Sequence, residues 1–166
     1  MKKTVSVFGG GGEAAGETIE CANNLGRNLA ENDVAVVCGG KEGVMEAVSR
    51  GVREGGGLCI GIIPSMDKGE ANRYVDVALP TGMGYARNIF VASAGDACIA
   101  FSGSTGTLSE IALALNNGKT VFIVEDSGGV CGGIRDLLEG IKHPGEVVYT
   151  RMSEVCGDVL GHLKLC

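Results

Sequence analysis

Short β-branched runs recur along this chain, each followed by a glycine-rich or polar turn and then a helical pattern, and this alternation restricts the possible folds most. Thr4–Phe8, Val34–Cys38, Leu58–Ile62, Ala97–Phe101 and Thr120–Val124 read as buried strands, with weaker candidates at Val75–Leu79 and Val147–Thr150. Helical stretches separate them: Glu13–Glu31, Gly43–Glu54, Tyr85–Ala94, Thr107–Asn117, Gly133–Gly140 and Ser153–Leu163. In the first, Ile19, Ala22, Leu25 and Leu29 make one apolar stripe at three- and four-residue spacing. Strand and helix in alternation imply parallel pairing through right-handed crossovers. The strands are apolar throughout rather than alternating, which requires cover on both faces. The expected fold is α/β, a single-domain doubly wound parallel sheet over residues 1–166 with helices on both faces. Asp67–Asn72 is the most polar stretch and reads as a surface loop, not a domain boundary.

Composition narrows the function classes. Lys and Arg number 14 against 20 Asp and Glu, a net charge of −6 without a basic run, which argues against general nucleic-acid binding. Trp is absent and aromatics are only 4%, so no surface of stacked rings is available to a nucleic-acid strand. Seven scattered Cys, none in a CxxC pair, several within apolar runs, indicate a reduced, cytoplasmic protein. His143 and His162 complete no metal site. The apolar run after Met1-Lys2-Lys3 is too short for a signal peptide, and Phe90–Phe101, broken by Asp96, is too short for a membrane span.

The 29 glycines lack the period of collagen and must serve turns and close backbone approaches. They collect where the strands end. Strand one runs into Gly9-Gly10-Gly11-Gly12, strand two into Gly39-Gly40, and the fourth strong run into Ser102-Gly103-Ser104-Thr105-Gly106-Thr107. Open α/β sheets bind ligands outside these carboxyl ends, and helix N-termini there attract negative charge. A phosphate-bearing ligand is expected. NAD fits poorly: Gly9, Gly11 and Ala14 roughly match the dinucleotide fingerprint, but Cys38-Gly39-Gly40 replaces the acidic residue it needs after strand two. No Gly-Lys-Ser/Thr loop occurs either, so a mononucleotide or another phosphorylated small molecule fits better.

Two side chains stand beside this edge. Thr107-Leu108-Ser109-Glu110 fits a capping box, but the same spacing also places Glu110 beside a bound phosphate. Arg87, after Thr81-Gly82-Met83-Gly84, reads as a helix-end ion pair or as a planar fork for an anion. Spacing alone leaves both pairs of readings open. Glu13 and Glu17 suit the dipole of the first helix, Glu13 also bordering the glycine loop. Lys41 either reaches a phosphate or stays solvated. Cys131, among glycines, would be an exposed thiol without a neighbouring cation to activate it.

Three motifs occur in order: Gly39-Gly40-Lys41-Glu42-Gly43-Val44-Met45-Glu46, Thr81-Gly82-Met83-Gly84-Tyr85-Ala86-Arg87-Asn88, and Gly103-Ser104-Thr105-Gly106-Thr107-Leu108-Ser109-Glu110. Together they resemble the lysine-decarboxylase-like superfamily of Rossmann proteins, which includes the Lonely Guy cytokinin-activating phosphoribohydrolases and the molybdenum cofactor carrier proteins. The similarity runs to about Val124 and is closest to the bacterial and archaeal branch related to the carriers. The resemblance implies Arg87 and Glu110 as catalytic residues. It implies Gly9, Gly10, Gly11, Gly39, Gly40, Gly43, Met45, Gly103, Ser104, Thr105, Gly106 and Thr107 as ligand-binding residues, and no metal. It further implies a phosphorylated ligand, either an AMP-like nucleoside 5′-monophosphate or the molybdenum cofactor, held by a carrier or sensor; the alternative is hydrolysis of the nucleotide's N-glycosidic bond. No other cofactor is required, no nucleic acid or membrane partner is expected, and a homodimer or larger homo-oligomer is. Two departures from the Lonely Guy pattern stand out: Ser102-Gly103-Ser104 replaces Pro-Gly-Gly, and Ser109-Glu110 replaces Glu-Glu.

Overall fold

The uniformly apolar runs become the inner strands of one parallel sheet. The computed structural model describes residues 1–12 and 14–164. Strands β1 (Thr4–Gly9), β2 (Ala35–Cys38), β3 (Cys59–Ile63), β4 (Val77–Pro80), β5 (Ala97–Phe101), β6 (Thr120–Val124) and β7 (Glu146–Thr150) lie in the order β4-β3-β2-β1-β5-β6-β7. Every adjacent pair is parallel, with Val5 opposite both Val36 and Ala97 and Gly9 opposite Phe101. The chain builds outward from β1 to β4, then returns to the other side of β1 to lay down β5. The order therefore reverses between β1 and β5, the place where open α/β sheets form a crevice.

Helices α1 (Gly16–Glu31), α2 (Val44–Glu54) and α6 (Val155–His162) cover one face, and α3 (Asn88–Ala94), α4 (Thr105–Asn116) and α5 (Arg135–Glu139) the other. Successive strand residues point to opposite faces, so Val5, Val7, Ile99 and Phe101 pack with Leu25, Leu29 and Val48, whereas Phe8, Cys98 and Ala100 pack with Val91, Ile111 and Leu115. Ser6, the polar exception in β1, donates to the Val91 carbonyl at 2.6 Å. Cys38, Cys59 and Cys98 are buried core residues, and all six described cysteines are unpaired.

Every expected strand is present, with ends moved by no more than two residues. The helices differ more. α1 starts at Gly16 rather than Glu13, and Glu13 lies outside the described residues, as does Cys166. The expected helix Tyr85–Ala94 divides into a 3₁₀ turn, Gly84–Arg87, and the shorter α3. The helix expected over Gly133–Gly140 shrinks to five residues, losing the glycines at both its ends, and 3₁₀ turns at Glu125–Ser127 and Gly129–Gly132 precede it. The Asp67–Asn72 loop is exposed apart from its half-buried end and holds one 3₁₀ turn, Lys68–Glu70.

Candidate functional site

The crevice between β1 and β5 opens into a cleft of about 410 Å³, within the roughly 300–1,000 Å³ usual for small-molecule sites. Gly9, Gly10 and Gly11 form one wall, and Ser104, Thr105, Gly106 and Thr107 form the facing one. Met45 enters from α2, and Arg87 and Glu110 lie in the same cleft. Ten of the sequence-expected residues thus meet there. Gly39, Gly40, Gly43 and Gly103 do not line it; they sit one layer behind, as supports rather than contacts.

Those supports are specific. A Cβ on Gly39 would lie 2.5 Å from both terminal nitrogens of Arg87 and 2.6 Å from the Met45 sulfur, so the guanidinium rests on the bare backbone there. Gly43, at φ +69°, caps α2 against the Gly10 carbonyl. Gly40 accepts from the Asn72 amide at 2.8 Å, and Asn72 Nδ2 donates to the Lys41 carbonyl at 2.9 Å, pinning this loop from the far side. Lys41 lines the rim of the cleft and pairs with Glu70 at 2.8 Å.

The capping-box reading of Thr107 and Glu110 is overturned. Gly103, at φ +80°, turns the chain so that α4 begins at Thr105 with Ser104 as N-cap, and the first helical bond runs from Leu108 N to the Ser104 carbonyl at 3.0 Å. No side chain caps this end. The N–H groups of Thr105, Gly106 and Thr107, which have no intrahelical acceptor, open on the cleft at the positive end of a twelve-residue helix. Glu110 lies one turn further on and is buried.

Arg87 and Glu110 form the charged centre of the cleft. Arg87 Nη1 stands 3.7 Å from Glu110 Oε1, close enough for attraction and too long for a hydrogen bond. The two residues are only 8% and 6% exposed. Among the described residues, Arg87 Nε and Nη1 have no hydrogen-bond partner, a costly state for buried donors. Burial raises the Glu110 carboxyl to about 8, outweighing the pull of Arg87 toward ionisation, while the buried Cys38 adds to the rise. Burial also lowers the pKa of Arg87 against the opposing effect of Glu110, yet a guanidinium stays charged at any ordinary pH. Burial thus biases the carboxyl toward its protonated form beside an under-satisfied cation.

Both departures from the Lonely Guy pattern have a local explanation. Ser102 adopts φ +44° and its N–H donates to Ser127 Oγ at 2.7 Å; proline, with φ near −65° and no N–H, fits neither condition. Ser109 faces away from the cleft, donating to the Gly106 carbonyl at 2.7 Å and accepting from Asn88 Nδ2 at 2.8 Å. Glu110 is the carboxylate of that pair of positions which reaches the cleft. Sequence reasoning left out Glu42, Pro64, Gly84, Tyr85 and Asn88 as lining residues. Four of the five stand within the quoted motifs, and Pro64 follows the carboxyl end of β3, so the strand-end rule already pointed to it. Cys131, expected as an exposed thiol, is buried and its thiol is pushed up to about 12. Glu17 occupies the first turn of α1, His143 bonds the Gly145 carbonyl at 3.0 Å, and His162 stacks edge-on against Phe122, all outside the cleft. Among the described residues no group of three or more His, Cys, Asp or Glu is placed to hold a metal ion, and no helix is long and apolar enough to cross a membrane.

Known proteins resemble this chain in sequence and fold. A cytokinin riboside 5′-monophosphate phosphoribohydrolase of Mycobacterium tuberculosis is 29% identical over 174 residues, covering 98% of this chain and 92% of that protein. An uncharacterised protein of Archaeoglobus fulgidus is 41% identical over 112 residues, 68% of this chain and 74% of its own. The molybdenum cofactor binding protein of Rippkaea orientalis superposes with a TM-score of 0.84 at 30% identity, over 99% of this chain and 98% of that one. The family model described as the SLOG cluster4 family matches residues 2–151, and the chain belongs to that family.

Proposed function

We propose that this chain binds a phosphorylated small molecule, a nucleoside 5′-monophosphate or a phosphate-bearing pterin of the molybdenum cofactor type, as a carrier or sensor. The observation that carries the reading is the buried Arg87 with two unpartnered nitrogens in the cleft that Thr105, Gly106 and Thr107, the uncapped first turn of α4, also line. A phosphate would satisfy both sets: amides at a helix N-terminus accept an anion without further charge, and a guanidinium adds a forked pair of donors. Gly9, Gly10 and Gly11 let the ligand approach the backbone from the opposite wall. The relatives support this class, since one acts on a nucleoside 5′-monophosphate and another binds the molybdenum cofactor.

Glu110 favours a second reading, hydrolysis of the N-glycosidic bond. A water oxygen would bond to C1′ as the C1′–N bond breaks, the leaving base taking a proton and ribose 5-phosphate remaining. The transition state resembles an oxocarbenium ion, and the carboxyl at 110 would either donate the proton to the base or, once ionised, stabilise that cation. Arg87 would hold the nucleotide in place.

The chain reads as a cytoplasmic protein that assembles as a homodimer or larger homo-oligomer. Exposed Val77 and Leu79 on edge strand β4, with Met66 and Met83 near its end, support contact between copies. The test uses the purified protein with AMP, following binding by calorimetry and free adenine by chromatography, beside Arg87→Ala and Glu110→Gln. Binding that falls at least about tenfold in Arg87→Ala supports the site. Adenine release lost in Glu110→Gln assigns the hydrolase reading. Binding without release leaves a carrier or sensor, and no binding of any phosphorylated ligand refutes the proposal.

A further inference from the structure

We infer that Tyr85 is the platform on which the flat heterocycle of the ligand stacks, and that it sets a preference for ring-bearing phosphates over the bare sugar phosphate. This rests on the phosphate site proposed above and concerns the other end of the ligand. Tyr85 lines the cleft and is 85% exposed, the most exposed aromatic side chain of the chain. The other two tyrosines have an arginine over the ring: Arg73 lies 5.0 Å from the centroid of Tyr74, and Arg135 lies 3.8 Å from that of Tyr149. Among the described residues Tyr85 has no aromatic or cationic partner of this kind.

The backbone beneath the ring is nonetheless anchored. Tyr85 rises from the Gly84–Arg87 turn, which is tied to the cleft wall by Gly84 N donating to the Pro64 carbonyl at 2.9 Å and ends on the buried Arg87. Its Cε1 lies 4.0 Å from where a Cβ on Gly106 would stand, which places the ring edge beside the first turn of α4. A phosphate on the amides of that turn would thus leave the rest of the ligand passing beside the phenol face. Met45 and Pro64 supply further apolar surface in the same cleft, whereas no second aromatic ring lines it. Stacking tolerates either a purine or a pterin, because each presents a π-face of similar size.

The experiment compares AMP with ribose 5-phosphate, which keeps the sugar and phosphate and lacks the ring, in the wild-type protein, Tyr85→Ala and Tyr85→Phe. The wild type is expected to bind AMP more tightly, and Tyr85→Ala to lower the ratio of AMP to ribose 5-phosphate affinity by about 5- to 100-fold. Tyr85→Phe should restore the ratio. An unchanged ratio in Tyr85→Ala, or equal affinity of the wild type for the two compounds, overturns the inference and leaves the phosphate site standing. A Tyr85→Ala protein that loses only self-association, with the ratio intact, assigns the ring to an interface between copies and overturns it as well. Failure of the wild type to bind either compound removes the phosphate site and this inference together.

Discussion

At the scale of single residues, the centre of the cleft is a carboxyl that burial biases against ionising. Glu110 has Arg87 at 3.7 Å and, among the described residues, no hydrogen bond, so the loss of water on burial dominates and its pKa rises to about 8. Between roughly pH 5 and 8 the folded protein then holds a proton that the unfolded chain, with a carboxyl near 4.3, releases. More protons in the folded state means that stability falls as pH rises through this window. Glu110→Gln removes the dependence. Its melting temperature should match the wild type near pH 5 and exceed it by a few °C at pH 8, since 1 kcal/mol is worth about 2–4 °C in chains of this size. Thermal scans across that range check it; a wild type that gains stability toward pH 8 relative to Glu110→Gln would show that the carboxyl is ionised and paired. The sequence placed Arg87 and Glu110 as candidates but left each with a bland alternative, because residues 23 positions apart meet only through the packing of α3 and α4 around β5.

At the scale of elements, the site depends on glycines that let helices and loops approach more closely than side chains permit. The α1–α2 pair is the clearest case outside the cleft. A Cβ on Gly26 would strike the Val48 carbonyl, and one on Gly51 the Asn23 carbonyl, so these backbones touch at their crossing. Gly51→Ala should therefore cost about 1–3 kcal/mol through overpacking, even though alanine is the better helix former. Urea unfolding would measure it, and a neutral or stabilising result would show that the two helices have room to separate. The strands were legible because apolar runs mark them whatever their neighbours are. The start of α2 was legible too, but those after β4 and β5 were not, because the glycines at 84 and 103 take positive φ values that a residue list does not reveal. α4 consequently begins two residues before the Thr107 suggested by capping logic, and the residue before Arg87 belongs to a 3₁₀ turn rather than to a helix.

At the scale of the whole molecule, the reversal of strand order between β1 and β5 brings together loops from distant parts of the chain. Gly9–Gly11, Met45, Arg87 and Thr105–Thr107 come from four separate segments and meet only at this point in the sheet. The carboxyl-edge rule made the region legible in the sequence. Which edge residues line the cleft and which support it from behind was not legible, because Gly39 and Gly103 differ from Gly9 in what packs against them and, for Gly103, in a positive φ. A phosphate is expected to sit where these segments converge. A crystal structure of the protein saturated with AMP tests it most directly. The account predicts phosphate density within about 2.7–3.2 Å of the N–H groups of Thr105, Gly106 and Thr107, with the Arg87 guanidinium directed to the ligand. AMP bound elsewhere on the chain, with this cleft filled only by water, would contradict it.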